Sequence, residues 1–330
     1  MPDGKAVLRC VVVGGSGFVG RRVAAELQAR GHDVSVVPGP RLVASSFARE
    51  GAVRAASEAE THVRELSEAL QGTDVVVNAA GSAAPDSALD GVLVGANSAL
   101  PLVVARAAAG AGTRRMIHLS SAAVQGNAAM LDETWSTGPF SPYSLSKAWG
   151  EDLLRHDAGD ARGAGTEIVV LRATSVQGRD RQTTRRLRAL AGSVLASVAA
   201  PGTAPSPVTS VESLAELVAL VAEHDGPVPE VVLQPWEGLT VLGVLEAAGG
   251  KRPRLLPAGV CRAVVTVGRV VSARLHGRFS GAVRRVEVMW FGQDQVSGWA
   301  AQEGLHPRRR VADVLRESRR PSSAPESREE

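Results

Sequence analysis

The sequence predicts an α/β protein, a doubly wound parallel sheet followed by a smaller C-terminal lobe, and three observations predict it. Short Val-rich runs alternate with longer Ala/Leu-rich stretches over the first half of the chain. Apolar strands of that kind belong in a parallel sheet covered by helices on both faces. Three glycines, Gly14, Gly17 and Gly20, stand between the first such run and the first helical stretch. The chain has 330 residues, more than the roughly 250–300 at which single cores tend to divide.

The elements follow in order. Val7–Val13 reads as a strand, and a helix runs from the glycines to Arg30, closed by Gly31 as the residue after the helix. Val34–Val37 is the second strand. Helix Glu58–Leu70 leads to strand Asp74–Asn78, helix Val92–Ala109 to strand Met116–Leu119, and helix Tyr143–Arg155 to strand Glu167–Leu171. After Leu171 the alternation fades. An Arg-rich segment (Arg179–Arg188) and a Gly/Pro/Ser stretch (Pro201–Pro207) precede helix Val211–Glu223, strand Glu230–Leu233 and helix Val241–Ala248. The expected division is a nucleotide-binding domain over 1–178, a substrate-binding lobe over 179–315 interleaved with the last sheet elements, and a disordered Ser/Pro/Arg/Glu-rich tail over 316–330.

Composition removes several function classes. Two cysteines, Cys10 and Cys261, exclude a disulfide scaffold and fit a reducing cytoplasm. The histidines are scattered without metal-ligand spacing, so no metal site is expected. A net charge of +3 gives no polyelectrolyte signal for nucleic acid. The longest apolar stretch, about Pro257–Ala273, carries Arg262 and Arg269 and is too interrupted to span a bilayer. Residues 251–286 hold nine Lys/Arg and no Asp or Glu. That run reads as a solvated face, as a source of diphosphate contacts together with Arg179–Arg188, or, over Val260–Arg274, as an interfacial helix on an anionic membrane.

The glycine loop, Gly14-Gly15-Ser16-Gly17-Phe18-Val19-Gly20, lies where a tight strand–helix turn lets backbone N–H groups reach a pyrophosphate at a helix N-terminus. The end of the second strand is where an acid would bind the ribose 2′-OH of NAD, and an Arg the 2′-phosphate of NADP. Val37-Pro38-Gly39-Pro40-Arg41 has no acid there. Arg41 is therefore the candidate 2′-phosphate partner, the alternative being a solvated loop charge, and NADP is favoured over NAD.

The chain has a single tyrosine, Tyr143, in Ser141-Pro142-Tyr143-Ser144-Leu145-Ser146-Lys147. Tyr143 and Lys147 share one helix face. A phenol with a pKa near ~10 is a poor acid or base at neutral pH unless a neighbouring cation favours the phenolate, and Lys147 is placed to supply that field. Ser120 and Ser121 follow a strand at the sheet edge where α/β proteins place ligands.

Taken in order, GGSGFVG, DVVVNAAG (Asp74–Gly81), Asn97 in a helix, HLSSAAVQG (His118–Gly126), YSLSK and VVLRATSVQG (Val169–Gly178) resemble an extended short-chain dehydrogenase/reductase of the NAD-dependent epimerase/dehydratase type, over about residues 7–315. The resemblance implies a Rossmann domain with a small C-terminal substrate lobe, and a homodimer. It implies Ser121 as the catalytic serine, Tyr143 as the acid/base and Lys147 as the lysine that also holds the nicotinamide ribose. Asn97 matches a helix asparagine that supports the site. Asn78, Ala79, Ala80 and Ser120 join Asn97 and the glycine loop among the implied cofactor contacts. The implied reaction is reduction or epimerisation at one carbon of a nucleotide- or carrier-linked sugar.

Several positions depart from the family pattern. Gln125 and Gln177 stand where relatives usually have cleft tyrosines. Val53–Ser57 lacks the Asp that often follows a third strand and contacts adenine. Ser206 stands in the place of a diphosphate-binding Arg, Ser175 in that of an Asn and Ser213 in that of an Asp. These losses motivate a second reading, a ketoreductase for a non-nucleotide lipid or secondary metabolite. A third is a non-catalytic NADP(H)-sensing protein on the same fold. In the other direction, Leu239-Thr240-Val241 opening a helix, Arg254-Leu255-Leu256-Pro257, the long apolar helix and Arg274-Leu275-His276-Gly277 are similar to bacterial enzymes acting on nucleotide- or polyprenyl-linked hexoses.

Overall fold

The structure, a computed structural model, describes residues 6–82, 88–179, 181–275, 279–307 and 311–319. The chain divides into two units: Met1–Thr174 with Val211–Pro235 and Gln295–Arg308, and Ser175–Ser210 with Trp236–Asp294 and Arg309–Glu330.

The first unit carries a six-stranded sheet. Its strands are β1 (Arg9–Val13), β2 (Asp33–Val37), β3 (Val75–Asn78), β4 (Arg115–Ser121), β5 (Glu167–Ala173) and β6 (Val231–Leu233). They lie in the order β6-β5-β4-β3-β1-β2, and every neighbouring pair is parallel. β1, β3 and β5 are buried almost throughout, as expected of strands covered on both faces. The helices are α1 (Phe18–Ala29), α2 (Arg49–Ser57), α3 (Glu60–Ala69), α4 (Leu100–Gly110), α5 (Pro142–His156) and α6 (Val211–Glu223). Val11, Val13 and Val76 of the sheet share one core with Leu66, Leu102 and Leu153 of the helices. The stretch Gly91–Gly110 is long and apolar enough to cross a membrane, but 78% of its apolar window is buried inside the protein.

Register brings chemistry to one edge. Val13 stands beside Val37 and Asn78, and Asn78 beside His118. The C-terminal ends of β1, β3 and β4 therefore open together. At the opposite edge, buried Arg115 donates to Glu167 Oε2 at 2.6 Å and to the carbonyl of His224 at 2.8 Å, tying β4, β5 and the segment after α6. Burial lowers its guanidinium pKa, with Glu167 opposing.

Arg49–Ser57, to which the sequence reading assigns no element, is helix α2. The run Gly51, Ala52, Ala55 and Ala56 forms its flat buried face, and Ala, Arg and Glu favour helix over strand. Arg49 pairs with Asp152 and Asp157, and Arg106 donates to the carbonyl of Ala56 at 3.2 Å. The sheet therefore ends at β2, whose Val36 is half exposed.

The second unit has two short parallel pairs, 175–177 with 208–210 and 197–199 with 254–256. Arg185, Arg186 and Arg188 of the Arg-rich segment lie on helix Gln182–Gly192, which Arg181 precedes as N-cap. Helix Val241–Gly249 is capped by Thr240, whose Oγ1 accepts from the Gly243 N–H at 3.1 Å. Val198, Val244, Leu245, Val311 and Leu315 form this unit's core. Residues 316–318 do not belong to the expected disordered tail. Arg316 and Glu317 close helix Val311–Glu317, and Ser318 is buried with its hydroxyl on the Leu315 carbonyl at 2.7 Å. Residues 320–330, His276 and Gly277 of the Arg274–Gly277 motif, and Arg278 after it lie outside the described residues.

Candidate active site

The glycine loop is shaped by close backbone approach. Gly14 has φ +80°, and a Cβ there would lie 2.7 Å from the backbone of Ala80. Its N–H donates to the Val37 carbonyl at 2.8 Å, and its carbonyl accepts from Gly17 at 3.0 Å. A Cβ on Gly20 would overlap the Gly14 carbonyl, so the third glycine lets α1 press on the turn. Gly17 caps α1 without a side-chain hydrogen bond, and no acid occupies the first turn. Ser16 and Gly17 are exposed, and Phe18 and Val19 are half-buried. This exposed turn at a positive helix end fits a dinucleotide pyrophosphate. Gly14→Ala is expected to cost about 1–3 kcal/mol from the left-handed backbone and the collision with Ala80. Thermal melts with and without dinucleotide check this: the variant should melt lower and lose the ligand-induced rise.

The loop after β3 packs against this turn. Buried Asn78 accepts from the Ala80 N–H at 3.2 Å through Oδ1, and its Nδ2 lies 3.2 Å from His118 Nδ1. Ala79 donates to Val13 at 2.9 Å. The Asn78 side chain thus shapes the loop, leaving Ala79 and Ala80 half-buried beside Gly14. His118 is fully buried, and burial, then Lys147, pushes its imidazole well below the usual range.

Asn97 lies in a π-helical turn, Gly95–Ala99, inserted before α4. Such turns often mark functional sites. Its Oδ1 accepts from the Ser82 N–H at 2.9 Å, and its Nδ2 donates to the Ser82 carbonyl at 3.0 Å and to Ser146 Oγ at 3.1 Å. Ser98 Oγ donates to the Ser146 carbonyl at 2.7 Å. Asn97 therefore clamps the loop after β3 to α5, the helix that carries Tyr143 and Lys147.

The start of α5 is fixed locally. Pro142 takes the first helical position, and Ser141 and Ser144 form a reciprocal capping box. Tyr143 is half-buried in that first turn, and its carbonyl accepts from Ser146 Oγ at 2.9 Å. One turn on, buried Lys147 donates through Nζ to the Leu119 carbonyl at 3.0 Å. Burial pushes its pKa down to about 8, against the pull of Glu151. A Cβ on Gly81 would lie 3.3 Å from Lys147 Nζ and 2.9 Å from Asn97 Oδ1, so the bare glycine leaves the ammonium open on that side. Ser121 ends β4 half-buried, and its Oγ accepts from the Ala123 N–H at 3.2 Å.

Two residues at the site have no counterpart among the sequence-based expectations. Glu151, one turn past Lys147, is buried and accepts from Ser120 Oγ at 2.5 Å and from Arg172 Nη2 at 2.7 Å. Arg172, fully buried on β5, also donates to the carbonyls of Asp132 and Thr134 at 3.2 and 2.7 Å. The four-residue step from Lys147 to Glu151 was the available signal. Ser120 thus has its hydroxyl committed to Glu151.

Arg41 is exposed and makes no ion pair among the described residues. Gln125 is buried and holds the next loop: its Nε2 donates to Asp132 Oδ1 at 2.6 Å, and its Oε1 accepts from the Asp132 N–H at 3.0 Å. In the second unit, buried Gln177 accepts from Thr184 Oγ1 at 2.9 Å. Ser206 is buried, with its N–H on the Leu239 carbonyl at 2.9 Å. Among the described residues no group of three His, Cys, Asp or Glu could hold a metal ion.

The profile of the NAD dependent epimerase/dehydratase family matches residues 10–233. A 4-hydroxy-2-methyl-3-oxo-4-farnesyl-3,4-dihydroquinoline-1-oxide ketoreductase from Stigmatella aurantiaca is 32% identical over 178 residues, 52% of this chain and 52% of that protein. The match thus spans about half the length of that curated relative. Among solved structures, a dTDP-glucose 4,6-dehydratase from Streptomyces venezuelae with NAD and TYD bound superposes with a TM-score of 0.61 at 19% identity, covering 94% of this chain and 95% of that one. A UDP-glucuronic acid 4-epimerase from Bacillus cereus in complex with NAD gives 0.59 at 18%, covering 94% and 96%. At these identities the structural likeness is one of fold.

Proposed function

The chain belongs to the NAD-dependent epimerase/dehydratase family and is an enzyme of that type, and from this premise we propose that it is a cytoplasmic, NADPH-dependent ketoreductase acting on a small ketone that carries no nucleotide. The observation that carries the reaction class is Lys147, buried one turn past Tyr143 with its Nζ on the end of the strand that bears Ser121. A nicotinamide held in this cradle would supply the hydride for the carbonyl carbon. Tyr143 gives its phenolic proton to the carbonyl oxygen as that oxygen becomes a hydroxyl, and Ser121 orients the same oxygen through a hydrogen bond. Lys147 favours the phenolate left behind by its charge. Gly14–Gly20, Ala79, Ala80 and Asn97 hold or shape the dinucleotide cradle.

The substrate class rests on substituted positions. Gln125 and Gln177 are buried and spent on their own loops, and Ser206 replaces the arginine expected to bind a diphosphate. The Stigmatella relative, a ketoreductase of a farnesylated quinoline oxide, supports the same direction. The second reading, a 4-ketoreductase or 4-epimerase of a nucleotide- or carrier-linked sugar, is favoured by the shared fold with sugar-nucleotide enzymes. The test is NADPH oxidation over ketones with and without UDP or dTDP. Competition by either nucleotide at millimolar concentration sinks the non-nucleotide reading and favours the sugar one.

Two further outcomes are expected. Arg41→Ala weakens NADPH about tenfold and leaves NADH unchanged, if Arg41 meets the 2′-phosphate by a charge-assisted contact; titration of both dinucleotides measures it. The free-enzyme profile of kcat/KM falls as pH rises past about 8, because Lys147 loses its charge there. Stability moves the opposite way. The unfolded lysine holds its proton up to about 10.4, so between that value and about 8 the unfolded state binds more protons and stability rises with pH.

A further inference from the structure

The helix Ala258–Arg274 is the longest in the second unit, and it is covered on one narrow face only. Cys261, Val265 and Ser272 are its buried residues. A Cβ on Gly268 would lie 3.1 Å from Val283 of the neighbouring helix Ser280–Phe291, which packs along this same side. A second stripe, displaced by roughly a quarter turn, is apolar and open. Val260, Val264, Val267, Val271 and Leu275 follow one another at helical spacing, and each is between 46 and 61% exposed. Five large aliphatic side chains in a continuous exposed row are unusual on a free surface.

The charge around this row has one sign. Residues 251–286 contain no Asp or Glu. Lys251, Arg254 and Arg274 are exposed and make no ion pair among the described residues, whereas Arg262 lies on the opposite side of the helix, over the Phe291 ring at 5.8 Å. Arg269 and Arg284 are held by Glu287 at 2.6 and 2.9 Å, which leaves the outer cations uncompensated. An apolar row with unpaired cations just before its helix and at its last turn matches the interface of an anionic bilayer, where aliphatic side chains enter the acyl boundary and Lys/Arg meet lipid phosphates. Two copies joined face to face through the same row would bring these cations together, a repulsive arrangement.

We propose that the open valine row of helix Ala258–Arg274, with the basic residues around it, docks the protein reversibly on anionic lipid membranes. The inference does not depend on the substrate reading. It needs only this helix and its charges.

The experiment is sedimentation of the full chain with vesicles of phosphatidylcholine and phosphatidylglycerol at 3:1, against phosphatidylcholine alone. Wild type is expected to pellet with the anionic vesicles at low ionic strength and to be released by salt, because the surface potential is screened. Val264→Glu with Val271→Glu, and separately Arg254→Glu with Arg274→Glu, should each lower partitioning by at least about tenfold. All four side chains are already exposed, so circular dichroism and activity on a water-soluble ketone should be unchanged. Failure of wild type to pellet with anionic vesicles overturns the proposal. So does a dimer in light scattering that Val264→Glu with Val271→Glu makes monomeric while vesicle binding is absent, the mark of a second copy on this face.

Discussion

Tyr143→Phe is expected to leave a folded protein that binds dinucleotide normally and turns over about 10²–10⁴-fold more slowly, the usual range for loss of a positioned acid/base. The substitution removes one oxygen from a half-buried ring. The helix around it is held by other groups: the Ser141/Ser144 box, the Ser146 hydroxyl and Asn97. None of these is the phenol, so the helix should stay in place without it. Stopped-flow NADPH oxidation alongside a binding titration separates chemistry from affinity. Full activity in this variant would falsify the assignment of Tyr143, and weakened binding with unchanged turnover would recast it as a cofactor contact.

The second large effect concerns stability. Glu151→Gln is expected to lower stability by about 3–5 kcal/mol, because it strips the negative partner from Arg172, a fully buried guanidinium. Two backbone carbonyls would still accept from Arg172, but neither carries a full charge. Chemical denaturation measures the loss. Replacing both partners, Glu151→Leu with Arg172→Met, should recover much of it, since an apolar pair of similar volume has no buried charge to strand. Glu151 is also the group that opposes the depression of the Lys147 pKa. Any single variant that loses the carboxylate should therefore shift the alkaline limb of the activity profile to lower pH as well.

Much of the fold was legible because its signals are local. Val-rich strands, a C-terminal glycine such as Gly31 and the three-glycine turn each write their conformation into a few neighbouring residues. The Tyr143–Lys147 step on one helix is of the same kind. Helix α2 was not legible, since Arg49–Ser57 is short and its buried face is made of Gly and Ala rather than large apolar side chains. Glu151 could have been suspected from its spacing. Its partners Ser120 and Arg172 could not, because they arrive from β4 and β5 and meet it only when the sheet is built. The open valine row raised the same difficulty. A 3.6-residue apolar period looks identical whether a neighbouring helix or nothing lies over it.

The strand order also bears on how the protein is made. β5 pairs with β6, yet the ribosome delivers residues 174–230 between them. At the usual 5–20 residues per second, Glu167–Ala173 waits about 3–11 s after its synthesis for the strand that covers its edge. During that interval an apolar β-rich segment, Ile168–Leu171, stands as an unprotected template for pairing with other chains. Recovery of active protein should thus depend on translation speed and chaperone supply more than the finished fold's stability would suggest.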